Sequence, residues 1–196
     1  VCMILTIAIE NTNTLIGCFK ENELLFEESI STNVKTELEY IMSFRCMFDM
    51  HGYSISDIEG AIISSVVPPV TNVLKSAVKR LIGKEAIVIG PGVKSGLNIA
   101  TDNPAQVGSD LVANAVSAIK QYEAPMIIIN MGTATTFSVI DEKKHYVGGM
   151  ICPGLKMASD SLTKGTAQLP GISLEKPKKV IGSNTIECMK SGLIYG

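Results

Sequence analysis

Short apolar runs separated by polar turns fill the first thirty residues. Residues 3–9 are apolar, Glu10-Asn11-Thr12-Asn13-Thr14 interrupts them, and 15–19 is apolar again. Runs of this length bounded by turn residues read as β-strands. A second polar turn at 20–23 and an apolar run at 24–30 complete an antiparallel meander. From Lys35 to Met50 the period changes. Leu38, Ile41, Met42, Phe44, Met47 and Phe48 recur at helical spacing, which predicts an amphipathic helix. Residues 61–67 form a buried strand ended by Pro68-Pro69. A second helix is expected over 71–82, with Thr71 as N-cap and Gly83 just past its end. Residues 86–89 give a further strand. The first part thus reads β-β-β-α-β-α-β, a mixed sheet with covering helices.

Residues 90–106 hold three Gly and two Pro and read as a long loop. Gly108-Ser109-Asp110 opens a helix through Tyr122. A carboxylate at Asp110 sits in the favourable field of the helix dipole, and on this stretch alone a simple cap is the favoured explanation. Residues 126–140 then repeat the opening pattern: an apolar run, the tip Asn130-Met131-Gly132-Thr133-Ala134-Thr135-Thr136, and a second apolar run. Gly132 lets a ligand approach the backbone, and Thr133, Thr135 and Thr136 offer hydroxyl and N–H donors to an anion. An ordinary Thr-rich hairpin accounts for the same letters. A strand entering a Pro-Gly turn at 148–155, a helix over 156–163, a Pro- and Lys-containing loop over 165–180 and a helix from 186 complete the chain.

Two stretches, 3–19 and 126–140, therefore begin the two halves with strand, polar turn, strand. Two such hairpins with facing tips would build a phosphoryl-transfer cleft, their N–H groups and Thr or Asn side chains meeting a nucleotide's phosphates.

Composition narrows the partners. At 196 residues the chain suits one large domain, or one domain plus part of another. Its 46% hydrophobic content and mean hydropathy of +0.29 supply a core. A net charge of −2 and a pI near 5.7 argue against nucleic acid as a partner. No apolar run reaches membrane-spanning length, so no membrane partner is expected. Cys2, Cys18, Cys46, Cys152 and Cys188 are odd in number and form no CxxC pair, which reads as free thiols in a reducing, cytoplasmic setting. His51 and His145 lie in polar surroundings and read as surface residues.

Several motifs, taken in order, resemble the type III pantothenate kinases of the acetate and sugar kinase, Hsp70 and actin superfamily. They are Asn11-Thr12-Asn13-Thr14, Ser64-Ser65-Val66-Val67-Pro68, Asp102-Asn103-Pro104 with Val107-Gly108-Ser109-Asp110, Gly132-Thr133-Ala134-Thr135-Thr136, Gly148-Gly149 with Pro153-Gly154-Leu155, and Ser183-Asn184-Thr185. The resemblance implies an α/β fold of duplicated actin-like (ribonuclease H-like) domains, mixed sheets with covering helices and a cleft between them. The domains would be 1–115 and 116–196, the second incomplete against the family pattern. It also implies transfer of the γ-phosphoryl group of ATP to pantothenate in coenzyme A synthesis, by a dimer. A divalent ion such as Mg2+ would accompany the nucleotide, with a monovalent cation, K+ or NH4+, beside it.

Carried over by resemblance, Asn11, Thr12, Asn13 and Thr14 line the first phosphate loop and Gly132 and Thr133 the second. Asp110 is the general base. Gly108, Ser109, Asp110 and Leu111 form the pantothenate-binding turn, with Thr101 close by, and Thr185 closes the site of the neighbouring subunit. The chain departs from the pattern at charged positions. The family's Asp-x-Gly-Asn-Thr has Ala8 and Glu10 for its Asp and Gly. Leu111 replaces an Arg, Thr101 a Tyr, and Asn130 the Asp that holds the monovalent cation. These departures suggest a second possibility: a non-catalytic subunit pairing with an intact paralogue, or a ligand-binding regulatory protein.

Overall fold

The computed structural model describes residues 3–196, so Cys2 lies outside the described residues. The chain divides into two compact units, Val1–Glu123 and Ala124–Gly196. The helix over 109–121 crosses position 115 without a break and lies wholly in the first unit.

In the first unit, β1 (Met3–Ile9), β2 (Asn13–Lys20) and β3 (Glu23–Ser31) form the expected meander. After α1 (Glu37–His51), β4 (Ile58–Ser65) returns parallel to β1. Helix α2 (Pro68–Ile82) then leads to the two-residue β5 (Ile87–Val88), parallel to β4. The five strands lie in the order β3-β2-β1-β4-β5, so β1 is central and the sheet is mixed. A short β6 (Asn98–Ile99) lies in the following loop, and α3 (Ser109–Gln121) ends the unit.

The core follows from strand alternation. Met3, Leu5, Ile7 and Ile9 of β1 are at most 2% exposed, and Tyr40, Phe44 and Phe48 of α1 and Leu74 of α2 are fully covered. Each such side chain contributes about 1.5–3 kcal/mol relative to exposure. Phe26 stands edge-on to Phe48, ring centroids 5.0 Å apart.

Local signals set most helix ends. Thr36 and Glu39 form a reciprocal capping box at the start of α1, and Gly52, at φ 73°, closes its end in the left-handed region. Two details differ from the sequence pattern. Leu38 and Met42 face out, and Tyr40 takes the core position, its hydroxyl donating to the Asn33 carbonyl at 2.7 Å. Helix α2 begins at Pro68, because proline at the first helical positions lacks only an N–H that would be unpaired anyway. Thr71 is therefore no cap. It lies in the first turn, with its hydroxyl 2.6 Å from Ser65 Oγ and 3.0 Å from the Val67 carbonyl. Gly83 ends α2 at φ 71°, as expected.

In the second unit, β7 (Met126–Met131), β8 (Ala134–Ile140) and β9 (His145–Pro153) pair antiparallel, followed by α4 (Leu155–Gly165) and α5 (Thr185–Tyr195). Few of its apolar side chains are buried: Ile140, Tyr146 and Met189. One sheet face is open, with Ile127 at 65%, Ile129 at 51% and Met131 at 82% exposure. Cys18, Cys46, Cys152 and Cys188 are free thiols. No helix among the described residues is long and apolar enough to cross a membrane.

Candidate active site

The first candidate loop is the β1–β2 turn. Ile9 pairs with Thr14, and the Glu10 N–H donates to the Asn13 carbonyl at 3.0 Å, so Asn11 and Thr12 form the exposed tip. Thr14 is fully buried, and its hydroxyl lies 2.9 Å from that of Thr32. Thr14 therefore shapes the turn from beneath. Glu10, half-buried at the edge of the turn, adds a negative charge to this loop.

The second cluster joins the end of β4 to the start of α3. The Ser65 N–H donates to Ser109 Oγ at 2.9 Å, and Ser109 Oγ donates back to the Ser65 carbonyl at 2.9 Å. Ser64 Oγ adds a third bond at 3.1 Å. The Ser109 hydroxyl is thus fully engaged and fixes where α3 begins. Sequence reasoning quoted Ser64-Ser65 as a motif without a role; two adjacent serines ending an apolar strand were the only local signal. Asp110, the next residue, is half-buried and has no ion-pair partner among the described residues. Its Oδ1 lies 2.5 Å from where a Cβ on Gly108 would stand, so glycine at 108 leaves room for the carboxylate. Leu111 is half-buried on the same turn. Thr101 Oγ1 is buried and unpartnered.

In the second unit, the Gly132 N–H donates to the Ala134 carbonyl at 3.1 Å, which tightens the β7–β8 tip around exposed Thr133. Gly154 braces this tip: its N–H donates to the Thr133 carbonyl at 3.1 Å. A Cβ at 154 would collide with the carbonyl oxygens of Gly132 and Thr133, so only glycine fits. Asn130 lies across from Thr136 on β8, whose Oγ1 is buried without a partner. Thr185 is the exposed first residue of α5, capped by Asn184, whose side chain accepts from the Glu187 N–H at 2.9 Å.

Two ions deserve a fit test against these donors. Among the described residues no group of three or more His, Cys, Asp or Glu could hold a metal, and Ala8 offers only a methyl. The described residues therefore present no carboxylate set for a divalent ion. The Asn130 amide and the unpartnered Thr136 hydroxyl give two neutral oxygens on one face, donors suited to a monovalent cation.

A cavity of about 660 Å³ adjoins the start of α3. Loop residues 89–97 enclose it together with Val107, Ser109 and Val112.

The chain is α/β, with one braced Gly-Thr turn at 132–133 and, at the start of α3, an Asp without an ion-pair partner among the described residues. The type III pantothenate kinase family model matches residues 4–196, and the chain belongs to that family. It is 45% identical over 195 residues to the type III pantothenate kinase of Halalkalibacterium halodurans, covering 99% of this chain and 77% of that one. Among solved structures, a conserved protein of Campylobacter jejuni assigned to a Baf family of transcriptional activators aligns with a TM-score of 0.55. It covers 96% of this chain and 72% of its own at 15% identity, which shows a shared fold. The type II variant structure of the Aquifex aeolicus Ppx/GppA phosphatase reaches 0.48 at 13% identity, over 82% of this chain and 55% of its own. A score that low adds nothing to the assignment.

Proposed function

We propose that this chain takes part in the ATP-dependent phosphorylation of pantothenate, in the cytoplasm and as part of a dimer, and that Asp110 is its general base. The supporting observation is the clip between Ser109 and Ser65, which fixes the start of α3 and leaves the Asp110 carboxylate unpaired. Asp110 accepts the hydroxyl proton of pantothenate as that oxygen attacks the γ-phosphorus and ADP leaves. N–H groups of the turns at 10–13 and 132–133 receive phosphate oxygens, with Thr133 supplying a hydroxyl. The first turn of α3, from Gly108 to Leu111, and Thr101 contact pantothenate, and Thr185 serves the neighbouring subunit's site. Asn130, with Thr136, holds potassium or ammonium. An ADP-release assay with potassium present tests the base. Asp110→Asn should lower kcat by about 10²–10⁴, the usual worth of a positioned base. Unchanged turnover would refute the role.

A second reading is favoured by Ala8, Glu10 and Leu111, which remove a carboxylate and a guanidinium and add a negative charge beside phosphate. In that reading the chain is a subunit whose partner, an intact paralogue, carries the working phosphate loops. Co-expression with such a paralogue separates the two. Asp110→Asn in this chain would then leave the mixed complex active, while Thr185→Ala would slow it.

A further inference from the structure

The cavity beside α3 has an unusual wall. Its lining is apolar along Ile89, Val93, Leu97, Val107 and Val112. Its two serines are committed: Ser109 to Ser65, and Ser95 Oγ to the Leu97 N–H at 3.2 Å. The single charged side chain in the lining is Lys94. Lys94 is exposed, has no carboxylate or carbonyl partner among the described residues, and also borders a second cavity of about 520 Å³. Gly92 and Gly96 flank it at φ 89° and 79°, left-handed positions that turn the loop around it. The lining also includes Ser109, the residue before Asp110. A half-open, largely apolar cavity of this size, with one charged side chain in its lining, fits a small ligand with a branched hydrocarbon body and one acidic group. A buried or half-buried carboxylate would in turn need such a cation.

We propose that this cavity holds the body of the acceptor and that Lys94 binds its carboxylate, making Lys94 the residue that selects an acidic acceptor over a neutral one. The inference rests on the pantothenate reading above and adds a specificity determinant to it. The ligand lies with its carboxylate at the 90–97 loop and its hydroxyl end toward the first turn of α3. Leu111, on that turn, offers no charge that could replace Lys94.

The test is calorimetric titration of the full chain with pantothenate and with pantetheine, in which the carboxylate is replaced by a neutral amide. Lys94→Gln should weaken pantothenate about tenfold or more, the worth of a charged hydrogen bond, and leave pantetheine within about twofold. Lys94→Arg should restore most of the loss. Because Lys94 is exposed, thermal melting should match the parent chain for both variants. If Lys94→Gln binds both ligands as the parent does, or loses both alike, the assignment of Lys94 is overturned and the pantothenate reading stands. If the parent chain binds neither ligand, both fall together.

Discussion

The two hairpins carry nearly the same sequence pattern and have different fates. Residues 3–19 and 126–140 each read strand, polar turn, strand, and each forms an antiparallel pair. In the first hairpin β1 is central in the sheet, with α1 and α2 supplying core side chains, and Ile9 is 2% exposed. In the second hairpin Ile129 is 51% exposed. The tips differ as well. The first is held by its strands and by Thr14 beneath it; the second by a glycine, Gly154, brought up against its carbonyls. A local pattern therefore specifies a hairpin, while its burial depends on what the rest of the chain lays over it.

The largest test of that contrast is core truncation. Ile9→Ala should cost about 2–5 kcal/mol, as cavity-forming changes do. Ile129→Ala should stay within about 1 kcal/mol, because half its surface already meets water. Urea unfolding of both variants measures this, and equal losses would mean that the open face of the second sheet is covered in solution.

A smaller effect is expected at the paired threonines. Thr14→Val removes the bond to Thr32 and should cost about 0.5–1.5 kcal/mol. In buffer without potassium or ammonium, Thr136→Val should be neutral or stabilising by about 1 kcal/mol, since its buried hydroxyl then has no partner to lose. With potassium present the same change should destabilise the chain, as loss of a cation ligand would, and no dependence on the cation would remove Thr136 from that role.

The smallest stability change should come at the tips. Glu10→Gly should move stability by about 0.5 kcal/mol or less, as surface changes do. It should nevertheless tighten a non-hydrolysable ATP analogue by about fivefold, the worth of about 1 kcal/mol of like-charge repulsion at 4 Å in water. Gly132→Glu should weaken the same ligand. Fluorescence titration reads both, and an unchanged affinity with either variant would overturn the phosphate role proposed for that tip.

Most of the element order was legible in the sequence. The apolar run of β1, the helical spacing of α1 and the glycine after α2 each appear at the expected place, because such signals act within a few residues. The start of α2 was misread because Pro68-Pro69 can end a strand or begin a helix, and only the parallel return of β4 along β1 decides which. Which face of α1 is buried was likewise set by Tyr40 finding the Asn33 carbonyl.

The candidate site divides the same way. Asp110 and the Gly-Thr tip each had an ordinary reading, a helix cap and a Thr-rich hairpin; only the series of motifs taken in order pointed to the family, which the match over 4–196 bears out. The serine clip did not stand out, because Ser65 and Ser109 are 44 positions apart and neither is unusual by itself. Lys94 was only one lysine in a glycine-rich loop until the fold set it against an apolar cavity. By itself the sequence determined the strands, most of the helices and the residues able to do chemistry, since these follow from side-chain shape and local hydrogen bonding. Tertiary structure alone decided which hydroxyls are engaged, which apolar face stays open and which lysine borders the apolar cavity, because each of those depends on contacts between residues far apart in the chain.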